Sequence, residues 1–416
     1  MTRTEYRIPP LRYLVPAALS FLVLLHFLAT SQSESYAATA NRVKGLVGLG
    51  SDGMPVSWSE ASTASKGSTA AKGDQGRTNT AAANQWDKLT AVAGEEKNST
   101  LASAAFAFLA RNSDVWEVAS AMQSLLDRCP ACRQYPWVFL NNEPFSDEFK
   151  RVTSSLSSQA PCQYGLVPKE HWEEPSWIDE KKASEERKKM ADAGVIYGDS
   201  KTYRRMCRYQ SGWFFRHELL KDYEFYWRID PAVKFYCDIP YDPFKEMETN
   251  GWKYGFTVSL YEYEATIPTL WDSTKEFISA HPEHLAKPNS LNWVSNDKGE
   301  TYNRCHFWSN FEIGSLNFLR SKAYMDYFEH LDKSGGFSYE RWGDAPVHTI
   351  AAALFLKPEE VHYFKDIGYF HNPFLNCPVD QAILSERRCS CDPKHKDNFY
   401  DHWYSCSNKW RELNPN

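Results

Sequence analysis

Residues 101–114 read LASAAFAFLARNSD, and this stretch sets the fold of everything that follows. The apolar run 101–110 ends in a polar loop at Arg111, which is typical of a buried strand. A helix is predicted over 114–127, and 137–140 (WVFL) is a second short apolar run that ends at Asn141. Strand, helix and strand within about forty residues predict a βαβ unit and therefore a mainly parallel sheet.

A third strand carries the first candidate functional residue. Residues 223–229 read YEFYWRI, a buried strand that runs directly into Asp230. Ligands collect at the carboxyl ends of the strands in open α/β sheets, so an acid at this point is a candidate for a metal or phosphate site.

The remaining pattern is that of one α/β domain over 101–416. Helices are predicted over 181–192, 213–222, 323–331 and 345–356, and another strand over 254–259. The sequence shows neither internal repeats nor a second linker, and one α/β domain of about 300 residues is within the range of such folds.

Composition separates this domain from the residues before it. Only seven of the 15 Trp, 23 Tyr and 24 Phe precede Leu101, and all ten cysteines lie between Cys129 and Cys406. The net charge of −6 excludes a generic basic nucleic-acid binder, so no nucleic-acid partner is expected.

The N-terminus has the pattern of a membrane anchor. Residues 13–29 carry no charge and would rise about 26 Å as a helix, just enough to cross a thin bilayer. Arg3, Arg7 and Arg12 precede this segment and no Lys or Arg follows it before Arg42. The charge bias predicts a type II signal anchor with a cytosolic tail at 1–12 and the rest of the chain in a lumen. The alternative is a cleaved signal peptide, with small residues near Ala37 as the cleavage site.

Residues 30–100 are predicted to be a flexible stem. They are rich in Ser, Thr, Ala and Gly, and this composition buries too little apolar surface to fold. Asn98 opens an Asn-Ser-Thr sequence and is a candidate glycosylation site in the secretory pathway.

Three acids lie beside aromatic or apolar runs, namely Asp230, Glu312 and Asp344. A carboxylate among apolar neighbours must be paired, protonated or bound to a metal. For each acid, the alternative to a functional role is an ion pair with a nearby arginine. His371 lies between Gly368 and Pro373 in a loop of defined shape and is a candidate metal ligand, or else a surface histidine that makes hydrogen bonds.

The cysteines predict disulfides rather than metal or redox chemistry. Cys129-Pro130-Ala131-Cys132 lacks a thioredoxin-sized unit around it, so a local disulfide is favoured in a lumen. The cysteines at 389, 391 and 406 lack zinc-finger spacing and are interpreted as disulfide partners whose pairing the sequence leaves open.

At these same segments the chain resembles the fungal Golgi α-1,2-mannosyltransferases of glycosyltransferase family 15. The matching segments are numerous and are spread over nearly the whole chain after Leu101. They comprise YRRMCRYQSG (203–212), YWRI (226–229), KFYCDI (234–239), YGFTVS (254–259), TIPTLW (266–271), CHFWSNFEI (305–313), YERWGDAPVH (339–348) and DIGY (366–369).

The resemblance implies a GT-A-like, Rossmann-related domain and transfer of mannose from GDP-mannose to the 2-hydroxyl of a mannose, with retention and with Mn²⁺ on the diphosphate. By the same resemblance Asp230 and His371 hold the metal and Tyr203 contacts the nucleotide. Glu312 matches the proposed nucleophile or oxocarbenium stabiliser, and Asp344 is expected near the acceptor or donor sugar. The metal would offset charge that builds on the departing GDP.

One motif departs from the family pattern. Where the family reads Glu-Pro-Asp, this chain reads Asp230-Pro231-Ala232, so one carboxylate is shortened and the second is missing. Asp retains the charge of Glu but reaches one methylene less far, and a metal can then bind with an added water. Cys129, Cys132 and Cys162 also lie outside the shared pattern and suggest an extra disulfide.

Two other functions compete with this reading. One is a family member with weak or no transfer that acts as a glycan-binding or regulatory protein. The other is a secreted glycoside hydrolase, suggested by paired acids among aromatic residues, which leaves the long family match unexplained. The expected acceptor is a mannosylated glycoprotein, O-linked or N-linked, in the Golgi, and the oligomeric state stays open.

Overall fold

The apolar run at 101–110 contains an inner strand of a large sheet. The computed structural model describes residues 101–414, and the first strand within them is Ala104–Leu109. The predicted tail, anchor and stem and the candidate glycosylation site Asn98 lie outside the described residues. None of the helices within 101–414 is long and apolar enough to cross a membrane.

The strands of the described residues form three sheets. They are β1 Ala104–Leu109, β2 Trp137–Asn141, β3 Cys162–Leu166, β4 Phe225–Ile229, β5 Lys234–Phe235, β6 Tyr254–Phe256, β7 Ser259–Tyr261, β8 Cys305–Phe307, β9 Phe311–Ser315, β10 Val361–Tyr363, β11 Tyr369–His371 and β12 Phe374–Asn376.

The main sheet has the order β10-β6-β9-β4-β1-β2-β3. β1 pairs in parallel with both β2 and β4, β2 with β3, and β10 with β6. Only β9 runs the other way, antiparallel to β4 and β6. The prediction of a mixed, mainly parallel sheet is confirmed.

Helices cover the sheet and surround the smaller sheets β12-β11-β5 and β7-β8. They are α1 Val115–Arg128, α2 Asp147–Leu156, α3 Lys169–Trp172, α4 Glu180–Asp192, α5 Lys201–Gly212, α6 Pro243–Asn250, α7 Leu270–Ala280, α8 Leu291–Val294, α9 Leu316–Leu319, α10 Lys322–Ser334, α11 Gly336–Tyr339, α12 Asp344–Phe355, α13 Gln381–Glu386 and α14 Ser407–Leu413. Seven short 3-10 turns lie within 101–414, among them Phe214–Arg216 and Glu218–Leu220.

Alternate residues of β1 enter two different apolar cores. Ala105 and Ala107 pack into the core on one face of the sheet, and Phe106 and Phe108 pack into the core on the other. A strand that is buried on both faces reads as a continuous apolar run rather than an alternating one. This is why residues 101–110 contain so few polar side chains.

Two predicted elements differ from the structure. Residues 213–222 form two 3-10 turns instead of one helix. The guanidinium of Arg320 donates hydrogen bonds to the carbonyls of Phe215 and Leu220, which a continuous helix would use for its own hydrogen bonds. The predicted strand 254–259 is split: β6 ends at Phe256, and the chain then crosses to pair β7 with β8.

Four disulfides join eight of the ten cysteines, all of which lie in the described part of the chain. The local pair Cys129–Cys132 is confirmed, and Cys162 is a free thiol. The later cysteines pair over longer distances as Cys237–Cys389, Cys305–Cys406 and Cys377–Cys391. These cross-links tie the C-terminal segment to β8 and to residues just after β5 and β12.

The turn after β4 contains a strained residue. Ala232 has a φ of 64° and is exposed. In this left-handed region the Cβ of an alanine lies too close to the backbone and strains it, whereas glycine has no Cβ and adopts the conformation without strain.

We expect Ala232→Gly to raise the free energy of unfolding by about 1 kcal/mol, because the strain outweighs the extra entropy of glycine in the unfolded chain. Urea denaturation measures the change. The matched control is Ala119→Gly in the interior of α1, where the same substitution lowers stability by about 1 kcal/mol. A loss of stability at both positions would contradict the strain at Ala232.

Candidate functional site

A cleft opens where the parallel strands β1, β2 and β4 end. Its first cavity, of about 380 Å³, is lined by Ala110 after β1, Asn141 at the end of β2 and Asp230 after β4. α5 contributes Tyr203 and Gln210 to the opposite wall. The position matches the place where ligands bind in open α/β sheets.

A second cavity of about 480 Å³ adjoins the first and shares part of its wall. Both cavities are lined by Tyr197, Tyr203, Met206, Arg228 and Asp230. The rest of the second wall includes Trp308, Asp344 and His371. Four of the residues predicted from the sequence, Tyr203, Asp230, Asp344 and His371, therefore lie around one cleft.

Arg228 is the charge centre of this cleft. Its Nε donates to Asp230 Oδ1 at 2.8 Å, and its Nη1 donates to Asp344 Oδ2 at 2.6 Å. Burial alone would lower the pKa of Arg228, but the charges of Asp230 and Asp344 outweigh burial and raise it well above its usual value. The guanidinium is thus a permanent cation. The sequence offered an ion pair with arginine as the alternative to a functional role for Asp230 and Asp344, and in the structure both acids make such a pair while lining the cleft.

Asp344 is held ionised from several directions. Burial would raise its pKa, but the positive charges of Arg228 and His348 and a hydrogen bond from Ser309 lower it below the ordinary 3.8. Asp344 also begins α12, where the helix dipole favours a negative charge. Asp344 and His348 are separated by one helical turn, so both point to the same side of α12.

Glu312 lies behind this wall and is completely buried. It pairs across the sheet with Arg228. Its Oε1 accepts from the Tyr226 hydroxyl at 2.7 Å, and its Oε2 accepts from the Tyr254 hydroxyl at 2.7 Å. Oε2 also contacts His348 Nδ1 at 2.9 Å.

The chemistry of the partners fixes the charge of His348. Its Nδ1 faces the carboxylate of Glu312 and its Nε2 faces the backbone carbonyl of Gln210 at 3.1 Å. Both partners only accept hydrogen bonds, so both ring nitrogens carry hydrogens and the imidazole is a cation. Burial opposes this state, but the charge of Glu312 raises the pKa of His348 above its ordinary 6.5 and that of His348 lowers the pKa of Glu312.

Gly314 makes room for the two tyrosines. It lies opposite Tyr226 on one neighbouring strand and opposite Tyr254 on the other. A Cβ at this position would approach Tyr226 Cε1 to 2.5 Å. The absence of a side chain lets both hydroxyls reach Glu312, two residues away on the same face of β9.

Tyr203 separates the two cavities. Its ring stacks on Tyr197 with centroids 4.5 Å apart, and the guanidinium of Arg341 lies 5.2 Å from its centroid on the wall of the second cavity. Burial raises the pKa of Tyr203 well above its ordinary value, so the phenol stays protonated. Tyr197 holds a φ of 55°, a strained conformation of the kind found at functional sites.

Asp230 and His371 are the donors that suit a metal ion on the second cavity. His371 ends β11 and lines the second cavity. Its Nδ1 lies 3.2 Å from the carbonyl of Asn372, which leaves Nε2 available to a metal. One carboxylate and one imidazole fit Mn²⁺, and two protein donors leave most coordination positions to a ligand and to water. A different group, His281, Glu283 and His284, has its ligand atoms within 4.8 Å of one another but lines neither cavity.

Sequence reasoning missed four residues of this site: Arg228, His348, Tyr197 and Arg341. Arg228 carried a signal, since a lone cation inside the apolar strand 223–229 must find a buried acid. His348 carried a weaker one in its spacing of four from Asp344. Tyr197 reaches the cleft from a loop that no sequence pattern marks, and Arg341 lies within the matching segment 339–348, where only Asp344 was singled out.

The chain matches known proteins over this whole region. The profile of the glycolipid 2-alpha-mannosyltransferase family matches residues 59–415. Glycolipid 2-alpha-mannosyltransferase 1 of Candida albicans is 57% identical over 311 residues, which cover 75% of this chain and 72% of the relative. Alpha-1,2 mannosyltransferase KTR1 of Saccharomyces cerevisiae is 54% identical over 311 residues, covering 75% and 78%.

A solved structure has the same fold. Core-mannan synthase A (CmsA/Ktr4) from Aspergillus fumigatus, in its Mn/GDP form, is 41% identical to this chain with a TM-score of 0.68. The match covers 72% of this chain and 82% of the other. The prediction of a GT-A-like domain of this family is confirmed.

The buried pair Glu312–His348 predicts a pH-dependent stability. Because the pKa of His348 is raised above 6.5, its stabilisation is complete below pH 6.5 and is lost as pH rises through the folded-state pKa. Because the pKa of Glu312 is lowered from 4.5, its stabilisation is present above pH 4.5 and is lost at lower pH. The free energies of unfolding of the wild type and His348→Gln, measured by urea denaturation, should differ by about 3 kcal/mol between about pH 4.5 and 6.5 and converge at higher pH. The exposed His395→Gln serves as control, and a difference that stays constant with pH would refute the ion pair.

Proposed function

The chain belongs to the glycolipid 2-alpha-mannosyltransferase family, glycosyltransferase family 15, and from that premise we propose that it is a Mn²⁺-dependent, retaining α-1,2-mannosyltransferase. It transfers mannose from GDP-mannose to the 2-hydroxyl of a mannose. The observation that carries the proposal is the cleft at the ends of β1, β2 and β4, where Asp230 and Tyr203 border both cavities and His371 lines the second.

The metal binds to Asp230 and His371. Their carboxylate oxygen and imidazole nitrogen are ordinary donors for Mn²⁺. When bound, the ion supplies positive charge to the diphosphate of the donor as it departs. Arg228 orients the carboxylate of Asp230 through two hydrogen bonds, at 2.8 and 3.2 Å, and so keeps it ready to coordinate.

The first cavity suits the nucleotide and the second suits the reacting sugars. Tyr203 contacts the nucleotide from the boundary between them, with the ring of Tyr197 behind it. Arg111 and Asp114, which form an ion pair after β1, offer charged and hydrogen-bonding groups at the far end of the first cavity. Asp344 and Arg341 face the second cavity, where sugar hydroxyls need such partners.

Glu312 acts as a stabiliser of the oxocarbenium-like centre rather than as a nucleophile. Three hydrogen bonds occupy its two oxygens, and the side chain is fully buried behind Arg228. Its fixed negative charge nevertheless acts at short range in a site of low dielectric constant. This arrangement supports departure of GDP and entry of the acceptor on the same face of the sugar, without a covalent intermediate.

The acceptor is a mannosylated glycan of a glycoprotein, O-linked or N-linked, and the enzyme works in the Golgi as a single-pass type II membrane protein. The four disulfides within the described residues support an oxidising lumen for the catalytic domain. The uncharged segment 13–29 supports the anchor.

The transfer reaction tests the proposal. Purified full chain is incubated with GDP-mannose and methyl α-mannoside, with Mn²⁺ or with a chelator. We expect a disaccharide only with the metal, and a loss of about 100-fold or more in kcat for Glu312→Gln, because a charge near the reacting centre is removed. Circular dichroism and a thermal melt check that the variant is folded, and the exposed His395→Ala is the control. No product from folded protein, together with no Mn²⁺-dependent GDP binding, would instead identify a noncatalytic member of the family.

A second experiment addresses the missing acid of the Asp230-Pro231-Ala232 turn. We expect Ala232→Asp to tighten Mn²⁺ binding in the presence of GDP by about tenfold, since a second carboxylate near Asp230 adds attraction for the ion. Ala232→Asn is the matched control, because it also tolerates the φ of 64° but carries no charge. Equal metal affinity of the two variants, measured by calorimetry, would show that this position does not act on the metal.

A further inference from the structure

A row of aromatic side chains, two of them exposed and two half-buried, leads out of the second cavity. Four residues form it, Tyr261, Tyr263, Tyr404 and Trp403, which we call the aromatic strip. Trp403 is 82% exposed and Tyr263 is 54% exposed. Large aromatic surfaces left open to water on a soluble domain mark binding sites more often than isolated exposed residues do.

The rings of the strip are continuous. Tyr404 lies at its middle, with centroid distances of 5.6 Å to Tyr261, 6.5 Å to Tyr263 and 5.3 Å to Trp403. Tyr261 and Tyr263 also line the second cavity, together with Asp344 and His371. The strip therefore begins at the wall of the cavity that suits the reacting sugars and ends at the surface at Trp403.

The backbone beneath the strip is firmly held. β7 pairs with β8, and the amide of Tyr261 donates to the carbonyl of Tyr404 at 3.4 Å. Leu260 forms a bridge with Ser405, and the disulfide Cys305–Cys406 joins β8 to the segment that carries Trp403 and Tyr404. The rings are therefore held in place before a ligand binds, which lowers the entropic cost of binding.

Polar groups accompany the rings. Glu262 lies between Tyr261, the last residue of β7, and Tyr263. It lines the same cavity, and its side chain is only 11% exposed. His306 on β8 also lines that cavity, and its buried Nδ1 has no hydrogen-bond partner among the described residues. The combination of apolar faces and hydrogen-bonding groups matches a pyranose, which has C–H groups on its faces and hydroxyls at its rim.

We propose that the aromatic strip is an extended acceptor subsite, on which the mannose units that precede the accepting mannose stack. This inference rests on the proposed transferase function. It makes the natural acceptor an oligomannoside of two or more units rather than a single mannose. The other three rings have their centroids 5.3 to 6.5 Å from that of Tyr404, so the strip offers several aromatic faces to a chain of sugars.

The test compares acceptors of different length with the full chain. The acceptors are methyl α-mannoside, α-1,2-mannobiose and α-1,2-mannotriose, and kcat/KM is measured for each. For Trp403→Ala we expect a five- to tenfold loss of kcat/KM with mannotriose, about 1 to 1.4 kcal/mol, and less than a twofold loss with methyl α-mannoside. Trp403→Phe keeps an aromatic face and should retain most of the rate.

Trp116→Ala is the matched control, since Trp116 is 65% exposed and lines neither cavity. Equal loss with all three acceptors, or no loss with any, would overturn the subsite. A gain from a mannosylated peptide that free mannotriose does not give, and that Trp403→Ala removes, would also overturn it in favour of a peptide contact.

A binding measurement separates failure of this inference from failure of the transferase. Saturation-transfer NMR with mannotriose and the full chain needs no turnover. Transfer from aromatic protons to the sugar that is lost in Trp403→Ala supports the subsite even if no acceptor is extended. Absence of saturation transfer in the wild type refutes it, whether or not the enzyme transfers mannose.

Discussion

The buried guanidinium of Arg228 holds in place the two acids that line the cleft. It reaches Asp230 at the end of its own strand and Asp344 at the start of α12, and it lies beside Glu312 across the sheet. A charge this deep is tolerated only because its partners surround it, and removal of any one partner leaves the others exposed to the full penalty of burial. The positions of the three acids are therefore mutually dependent.

The topology of the sheet explains how these groups meet. β9 enters antiparallel between β4 and β6, so Glu312 lies next to Arg228 and Gly314 lies between two tyrosines. α12 then delivers Asp344 and His348 from one helical face. A charged network built on strands and a buried helix is more rigid than one built on loops, which suits a site that must hold a fixed field around a reacting sugar.

The sequence predicted the parts of this site that local patterns control. The aromatic run at 223–229 predicted a buried strand and thereby located Asp230 at its carboxyl end. The long match to a known family indicated the histidine at 371 and the acid at 344, which no local pattern would have brought together. The helix predicted over 213–222 failed because Arg320, about a hundred residues later, binds the carbonyls that such a helix needs. The burial of Glu312 likewise depends on Tyr226, Tyr254 and His348, whose convergence only the folded chain shows.

The two cavities share one wall, and this has a consequence for binding. Tyr203 and Arg228 border both of them, so a ligand that shifts either side chain from one cavity changes the shape of the other. The affinities for two ligands are then linked by one coupling free energy, which acts equally in both directions. In the proposed assignment of the two cavities, binding of the nucleotide and binding of the sugars are therefore energetically coupled.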